Sequence, residues 1–254
     1  MSEQETEELG EGTLLSHLVE LRSRLFWMFG AVFLVFLALL PFSKLIFNYV
    51  ARPLVSVVPN GELIALSPVS PLTATIALTF YMALFIAMPI ILYQVWAFVA
   101  PGLYRKEKHF AFPMLATSIV LFYVGMAFAY YVVFPLIFGF VSTFTPDTVN
   151  YQPDMTQYVS FVMMVVLVFG LAFETPVATM LLVMTGITTT DKLGKARPYV
   201  FLGAFVVGML LTPPDVISQT MLAVPVYLLY ELGILMSRLV ARTPTKPADE
   251  DAVK

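Results

Sequence analysis

No cysteine occurs among the 254 residues, so neither a disulfide framework nor a thiol nucleophile is available, and cysteine usage leaves the redox compartment unread. Charge is scarce as well: Asp, Glu, Lys and Arg make up 12% of the chain, against about 25% in an ordinary soluble domain. The two histidines, His17 and His109, lie in different segments, and neither belongs to an H-E-x-x-H pattern. G-x-S-x-G and Walker sequences are missing too. Metal-dependent, serine-nucleophile and ATP-driven chemistry therefore find no residues here; the chain reads as non-enzymatic, with no metal site and no cofactor. Its basic residues are scattered and its net charge is only −3, which argues against nucleic acid as the main partner. The first residues carry Glu3, Glu5, Glu7, Glu8 and Glu11 where a signal peptide would carry Lys or Arg, so 1–13 reads as a retained, flexible, acidic cytosolic tail.

What the chain has in quantity is apolar length. Hydrophobic residues make up 59% of it, and its mean hydropathy is +0.85. A helix needs about 20 mostly apolar residues to cross a bilayer, and six stretches qualify: 25–42, 72–98, 110–140, 158–184, 199–212 and 216–236. The fold class is thus an all-α integral membrane protein with six transmembrane helices in a unit over 14–238, followed by a disordered polar tail at 239–254. The unbroken apolar runs of the last two spans hold 14 or 15 residues, reaching about 21–23 Å, so both are expected to be short. Twelve of the Lys and Arg residues fall at the termini or in 101–109 and 185–198, and only Lys44 and Arg52 fall in the alternate loops. That bias puts both termini in the cytosol. On the other side, 43–71 is a long loop whose Leu45, Ile46, Phe47, Tyr49, Val50, Leu54 and Val55 suit an amphipathic segment on the outer interface.

Few polar residues interrupt the spans. Glu174 sits in Phe173-Glu-Thr-Pro176, where Pro176 removes a helical hydrogen bond and should kink the helix beside the carboxyl. An ionisable side chain at that depth is a functional hypothesis by default, and Glu174 is expected to line a polar cavity opened by the kink. Asp215 follows Thr212-Pro-Pro214 and suits an N-cap of the sixth helix. Thr212 and Gln219 flank the same turn with groups able to hydrogen-bond another helix. Glu231, near the inner end of the sixth span, reads as an interface-level residue. On the cytosolic face Glu20 and Arg24 stand four apart on a short amphipathic helix, and Glu107 stands among Arg105, Lys106 and Lys108. Topology brings Glu20 and Glu107 to one membrane side, where each carboxylate can take one guanidinium in the bidentate geometry that arginine favours.

Taken jointly, Ser16-His-Leu-Val-Glu-Leu-Arg-Ser-Arg-Leu25, Ile91-Leu-Tyr-Gln-Val-Trp-Ala-Phe-Val-Ala-Pro-Gly-Leu-Tyr104, Leu121-Phe-Tyr-Val-Gly-Met-Ala-Phe128, Phe173-Glu-Thr-Pro176, Arg197-Pro-Tyr199 and Gly208-Met-Leu-Leu-Thr-Pro-Pro-Asp215 resemble the TatC family, the six-helix core of the twin-arginine translocase. The resemblance implies a curved, glove-like bundle in the bacterial inner membrane. It implies docking of folded precursors through twin-arginine signal peptides and export driven by the proton-motive force. Single-span TatA- and TatB-type proteins would be partners, with several copies of the chain per complex. It assigns signal-peptide contact to Glu20 and Glu107, with Arg22, Phe98 and Arg105 in the same patch. It makes Glu174 and Asp215 the polar membrane and outer-turn residues, and places a partner-helix dock at Met209, Thr212 and Gln219. The chain departs from the family at Lys108-His109, where a second arginine pair is common; a neutral His109 there lacks a fixed charge. The competing reading is a proton-coupled small-solute transporter using Glu174 as proton carrier.

Overall fold

The structure, a computed structural model, describes residues 3–55, 63–99, 111–144, 152–211 and 216–241. Helix α1, Glu3–Leu39, passes through a 3₁₀ turn at Leu40–Phe42 into α2, Ser43–Val55. Next come α3, Ser70–Val99, and α4, Ala111–Phe128, which continues through a π turn at Ala129–Val133 into α5, Phe134–Phe144. Helices α6, Met155–Ala172, and α7, Thr175–Met184, are followed by α8, Thr190–Leu211, and α9, Val216–Ala241. Among the described residues, six helical stretches have the length and hydropathy to cross a membrane: Leu18–Ala51, Ser70–Phe98, Phe112–Val141, Met155–Met184, Thr190–Leu211 and Gln219–Leu239.

Several boundaries differ from those read off the sequence: the first span, read as 25–42, is helical over Leu18–Ala51 and takes in part of the segment read as a loop. The acidic stretch read as a flexible tail forms the first turns of α1. The fifth span begins at Thr190 instead of 199: Asp191 in the first turn suits the helix N-terminus, and Lys192 and Lys195 are exposed, so their charges do not stop the helix. Gly186, at φ 73°, ends α7 in the left-handed conformation that glycine adopts without strain, and the Thr189 hydroxyl accepts the Lys192 N–H to open α8. The sixth span likewise runs on to Ala241. The last two spans are still the shortest, at 22 and 21 residues against 29 to 34, yet both exceed the 14 or 15 of their apolar runs.

Each proline inside a span leaves a carbonyl four residues earlier without its N–H, and the bundle answers this locally. Pro89 frees the Phe85 carbonyl in α3, and the Tyr123 hydroxyl of α4 donates to that oxygen at 3.0 Å. Pro135 follows the π turn, whose wider coil gives its ring room. Several buried hydroxyls are satisfied within their own helices: Thr79 donates to Thr75, Thr179 to Thr175 and Ser237 to Gly233 carbonyls, as a medium without water favours.

The centre of the bundle is where α3, α4 and α6 meet, around the fully buried Phe85, Phe122, Phe169, Leu78 and Val162. Gly125 of α4 lies against the Phe169 backbone of α6, and Gly170 of α6 against the Phe122 ring, so glycine permits the close approach from both sides. Helix α7 belongs with α9 instead: a side chain at Gly233 would meet Thr179 and the Pro176 backbone. The α2 segment is amphipathic as expected, with Val50 and Ala51 buried and Leu45 exposed. The Tyr158 hydroxyl donates to the Val50 carbonyl and fastens α2 to α6. A single parallel bridge between Ile64 and Asp154, with Asp154 also capping α6 through the Gln157 N–H, joins the two segments that precede α3 and α6.

Candidate functional site

The site grows from the end of the bundle where α1 begins and α3 finishes. Glu20 and Arg24, one turn apart, share the face of α1 turned toward α3. Arg24 is the organising residue: its Nε and Nη2 both donate to Glu20 Oε1, at 3.0 and 2.5 Å. Its Nη1 donates to Gln94 Oε1 at 3.1 Å, and Nη2 also reaches the Ala97 carbonyl at 3.1 Å. One planar guanidinium thereby ties α1 to α3 and occupies one of the orphan carbonyls in the last turn of α3. Both contacts to Glu20 fall on the same oxygen. Oε2, on a side chain 38% exposed, has no partner among the described residues and can receive another donor.

Phe98 is partly buried at the end of α3. Arg22 sits elsewhere. Two residues past Glu20 is about 200° around a helix, and the Arg22 guanidinium lies 5.5 Å from the centre of the Phe26 ring on the outward face of α1. The geometry separates it from Glu20. Glu107, Arg105, Thr212 and Asp215 lie outside the described residues.

Glu174 sits at the kink that Pro176 predicts: regular helix stops at Ala172 and restarts at Thr175, while Phe173 and Glu174 keep helical dihedrals and the Phe173 N–H still donates to the Phe169 carbonyl at 3.0 Å. Its carboxyl meets the Ser118 hydroxyl, which accepts the Trp96 indole N–H at 3.1 Å. Glu174 Oε1 is enclosed with no hydrogen-bond partner among the described residues, which is costly in an apolar surround. The kink thus connects α3, α4 and the α6–α7 joint through one polar chain.

In the last hairpin Met209 is exposed, while the Gln219 amide donates to the Phe205 carbonyl at 2.6 Å and its stem packs over Gly208. The Gln219 donor is engaged inside the chain, and its side-chain oxygen has no partner among the described residues. At the other end of the same hairpin Arg197 forms a two-pronged pair with Glu231, Nε to Oε1 at 2.7 Å and Nη2 to Oε2 at 2.8 Å. The Tyr227 hydroxyl donates to the same carboxylate, and the Tyr230 hydroxyl to the Leu193 carbonyl. Reading Arg197 as a topology residue and Glu231 as an interface residue missed this clasp; the signal was Glu231, the lone acid in the sixth helix, at the same end of the hairpin as Arg197. Swapping either charge alone, R197E or E231R, should lower the unfolding midpoint of the detergent-solubilised protein, and the double swap should recover most of the loss. A double swap no better than the singles would deny the pairing.

Comparison with known proteins follows this geometry. Residues 16–225 match the model of the family described as TatC, Sec-independent protein translocase protein. The chain belongs to the TatC family. It is 50% identical over 239 residues to the Sec-independent protein translocase protein TatC of Azotobacter chroococcum, covering 94% of this chain and 93% of that one. To the TatC protein of Escherichia coli K12 it is 51% identical over 226 residues, covering 89% and 88%. A crystal structure of a twin-arginine translocase receptor TatC is 38% identical, with a TM-score of 0.82 over 89% of this chain and all of the other. The all-α, six-span architecture and the family resemblance both stand, and with them the assignment of the chain as a non-enzymatic component of the Sec-independent translocase in a membrane.

Proposed function

We propose that the chain is the receptor subunit that binds twin-arginine signal peptides of folded precursors, with Glu20 and Glu107 each taking one guanidinium. The observation that supports this most directly is the half-engaged Glu20 carboxylate, held through Oε1 by Arg24, with Oε2 unpartnered among the described residues. It stands beside the last turn of α3, and α3 ends at Val99, eight residues before Glu107 in the sequence. Phe98 and Arg105 flank the same junction, and Arg22, its guanidinium over the Phe26 ring, belongs to the same patch from the other face of α1. The unit is 14–238 in the bacterial inner membrane, with cytosolic segments at 1–13 and 239–254 and both termini inside. Export draws on the proton-motive force, and TatA- and TatB-type single-span proteins dock at Met209, Thr212 and Gln219. Several such units make a complex. Glu174 and Asp215 serve as the polar membrane and outer-turn residues.

Crosslinking from 101–110 to a twin-arginine peptide, with a Lys-Lys peptide as control, tests the reading. The twin-arginine peptide should crosslink in preference. E20Q with E107Q should abolish that preference in a protein that still folds, since each charge-assisted bond is worth about 1.5–3 kcal/mol. Equal crosslinking of both peptides would defeat it. A proton-coupled transporter would ignore the E20Q and E107Q changes and respond to Glu174 alone.

A further inference from the structure

A cavity of about 220 Å³ lies between α2, α3, α6 and the π turn that joins α4 to α5. Its buried lining is Phe85 of α3 with Met163 and Val166 of α6, the last two 2 and 5% exposed. Its exposed lining is Tyr49 of α2, Ala127 of α4 and Tyr131 of the π turn, so it opens at the surface of the bundle between α2 and α4. Ala127 keeps that mouth wide, having nothing beyond its methyl group. Met82, Met126 and Met163 supply three of the walls, and methionine is the side chain that adapts to irregular apolar shapes. An apolar cavity of about 150 Å³ is enough to stay dry and take up benzene, so this one has room for a run of methylenes. Left unfilled, it would cost every one of these side chains its dispersion contacts on one side, and the medium around a spanning bundle is hydrocarbon.

Depth and charge decide which occupant fits. The bridge between Ile64 and Asp154 sets the starts of α3 and α6 at one end of the bundle, and the bond from Tyr158 to the Val50 carbonyl holds α2 there. Met163 stands eight residues into α6 and Met82 twelve into α3, roughly 12 and 18 Å at the helical rise. In a hydrocarbon core about 30 Å thick, that is acyl-chain depth for the leaflet at the α2 end. Helix α2, Ser43–Val55, carries Lys44 and Arg52 and no acid, a charge complementary to lipid phosphates. Tyr49 and Tyr131, 56 and 70% exposed at the mouth, have the amphipathic rings that favour the headgroup border. A partner helix, about 10–12 Å across, is too wide to enter. We propose that the cavity takes one acyl chain of a phospholipid whose phosphate lies over α2. The site needs only a membrane around the bundle and stands whether or not the chain receives signal peptides.

Photolabelling tests it. The full chain is reconstituted in phosphatidylcholine vesicles in which a minor fraction of the lipid carries a diazirine near the end of one acyl chain. After irradiation the protein is digested and its labelled residues are read by mass spectrometry. Met163 and Val166 should be labelled, while Val165 and Phe169, fully buried on α6 but outside the cavity, should not. A127F should close the mouth and remove the label from Met163 and Val166, and the exposed Leu136 should keep its label in both proteins. K44Q with R52Q, which alters no residue of the cavity wall, should lower the label at Met163 relative to that at Leu136. Should A127F not fold, the contrast of Met163 with Val165 in the unaltered chain still decides. Label on Leu136 without label on Met163 and Val166 overturns the proposal. Equal label at Val165 does so too, since chains would then be entering the bundle at random. A Met163 label unmoved by K44Q with R52Q would give the cavity to a chain that no headgroup anchors, and the phospholipid seat would fall.

Discussion

Gly125→Leu should prevent the third and fourth spans from packing, and Gly125→Ala alone should lower the thermal midpoint of the detergent-solubilised protein. A Cβ at 125 would stand 2.6 Å from the Phe169 carbonyl oxygen and 2.9 to 3.0 Å from the Phe173 side chain. The first of these is backbone of a helix buried at the centre of the bundle, so it cannot rotate out of the way. Overpacking of a well-packed core costs about 1–3 kcal/mol, and the leucine side chain exceeds what one methyl demands. Gly170→Ala is a graded comparison, since its nearest neighbour is the edge of the Phe122 ring at 2.6 Å. That ring is fully buried and hemmed in by Phe85 and Tyr123, so the loss should be real but smaller. Gly30→Ala meets nothing and removes a helical glycine, a gain of up to about 1 kcal/mol. Midpoints that fail to fall in the order Gly30, Gly170, Gly125 would show that α4 and α6 are not this close.

The six spans were legible because their signal is long-range and additive: twenty apolar residues announce themselves whatever they touch. Where the helices end was not. Gly186 and Thr189 stop and restart the chain within four residues, and the apolar run that begins at Tyr199 hides two helical turns of charged residues before it. The kink at Glu174 was half legible. Pro176 predicted distortion, but the chain's choice to stop at Ala172 depends on α7 leaving α6 to pack on α9 through Gly233 and Thr179. Glu20 was visible as one of two acids on the basic side. Its being held through a single oxygen was not, because Gln94 and Ala97, which orient Arg24, lie 70 and 73 residues away. The same distance problem hid the partnership of Tyr123 with the Phe85 carbonyl and of Arg197 with Glu231.

That dependence of Glu20 on α3 gives the second large effect. Arg24→Lys should weaken binding of a twin-arginine peptide by about tenfold, a loss of one charge-assisted hydrogen bond, while leaving the weak binding of a Lys-Lys peptide nearly unchanged. Lysine keeps the charge, but a point-like ammonium cannot reach Glu20, Gln94 and the Ala97 carbonyl at once. The carboxylate would then lose its fixed aim and the entropy of aiming it would fall on the peptide. A purely structural role for Arg24 predicts something else: both peptides should suffer alike as α1 drifts from α3. Fluorescence titration of the two peptides against R24K separates these outcomes through the ratio of their affinities. Coupling with Glu20 is the stricter measure. In an E20Q background the share of the arginine preference that Glu20 supplies is already gone, and R24K should change the ratio no further. Tighter twin-arginine binding in R24Q would mean that Arg24 competes with the signal peptide for Glu20, and the pinned-carboxylate account of the site would fall.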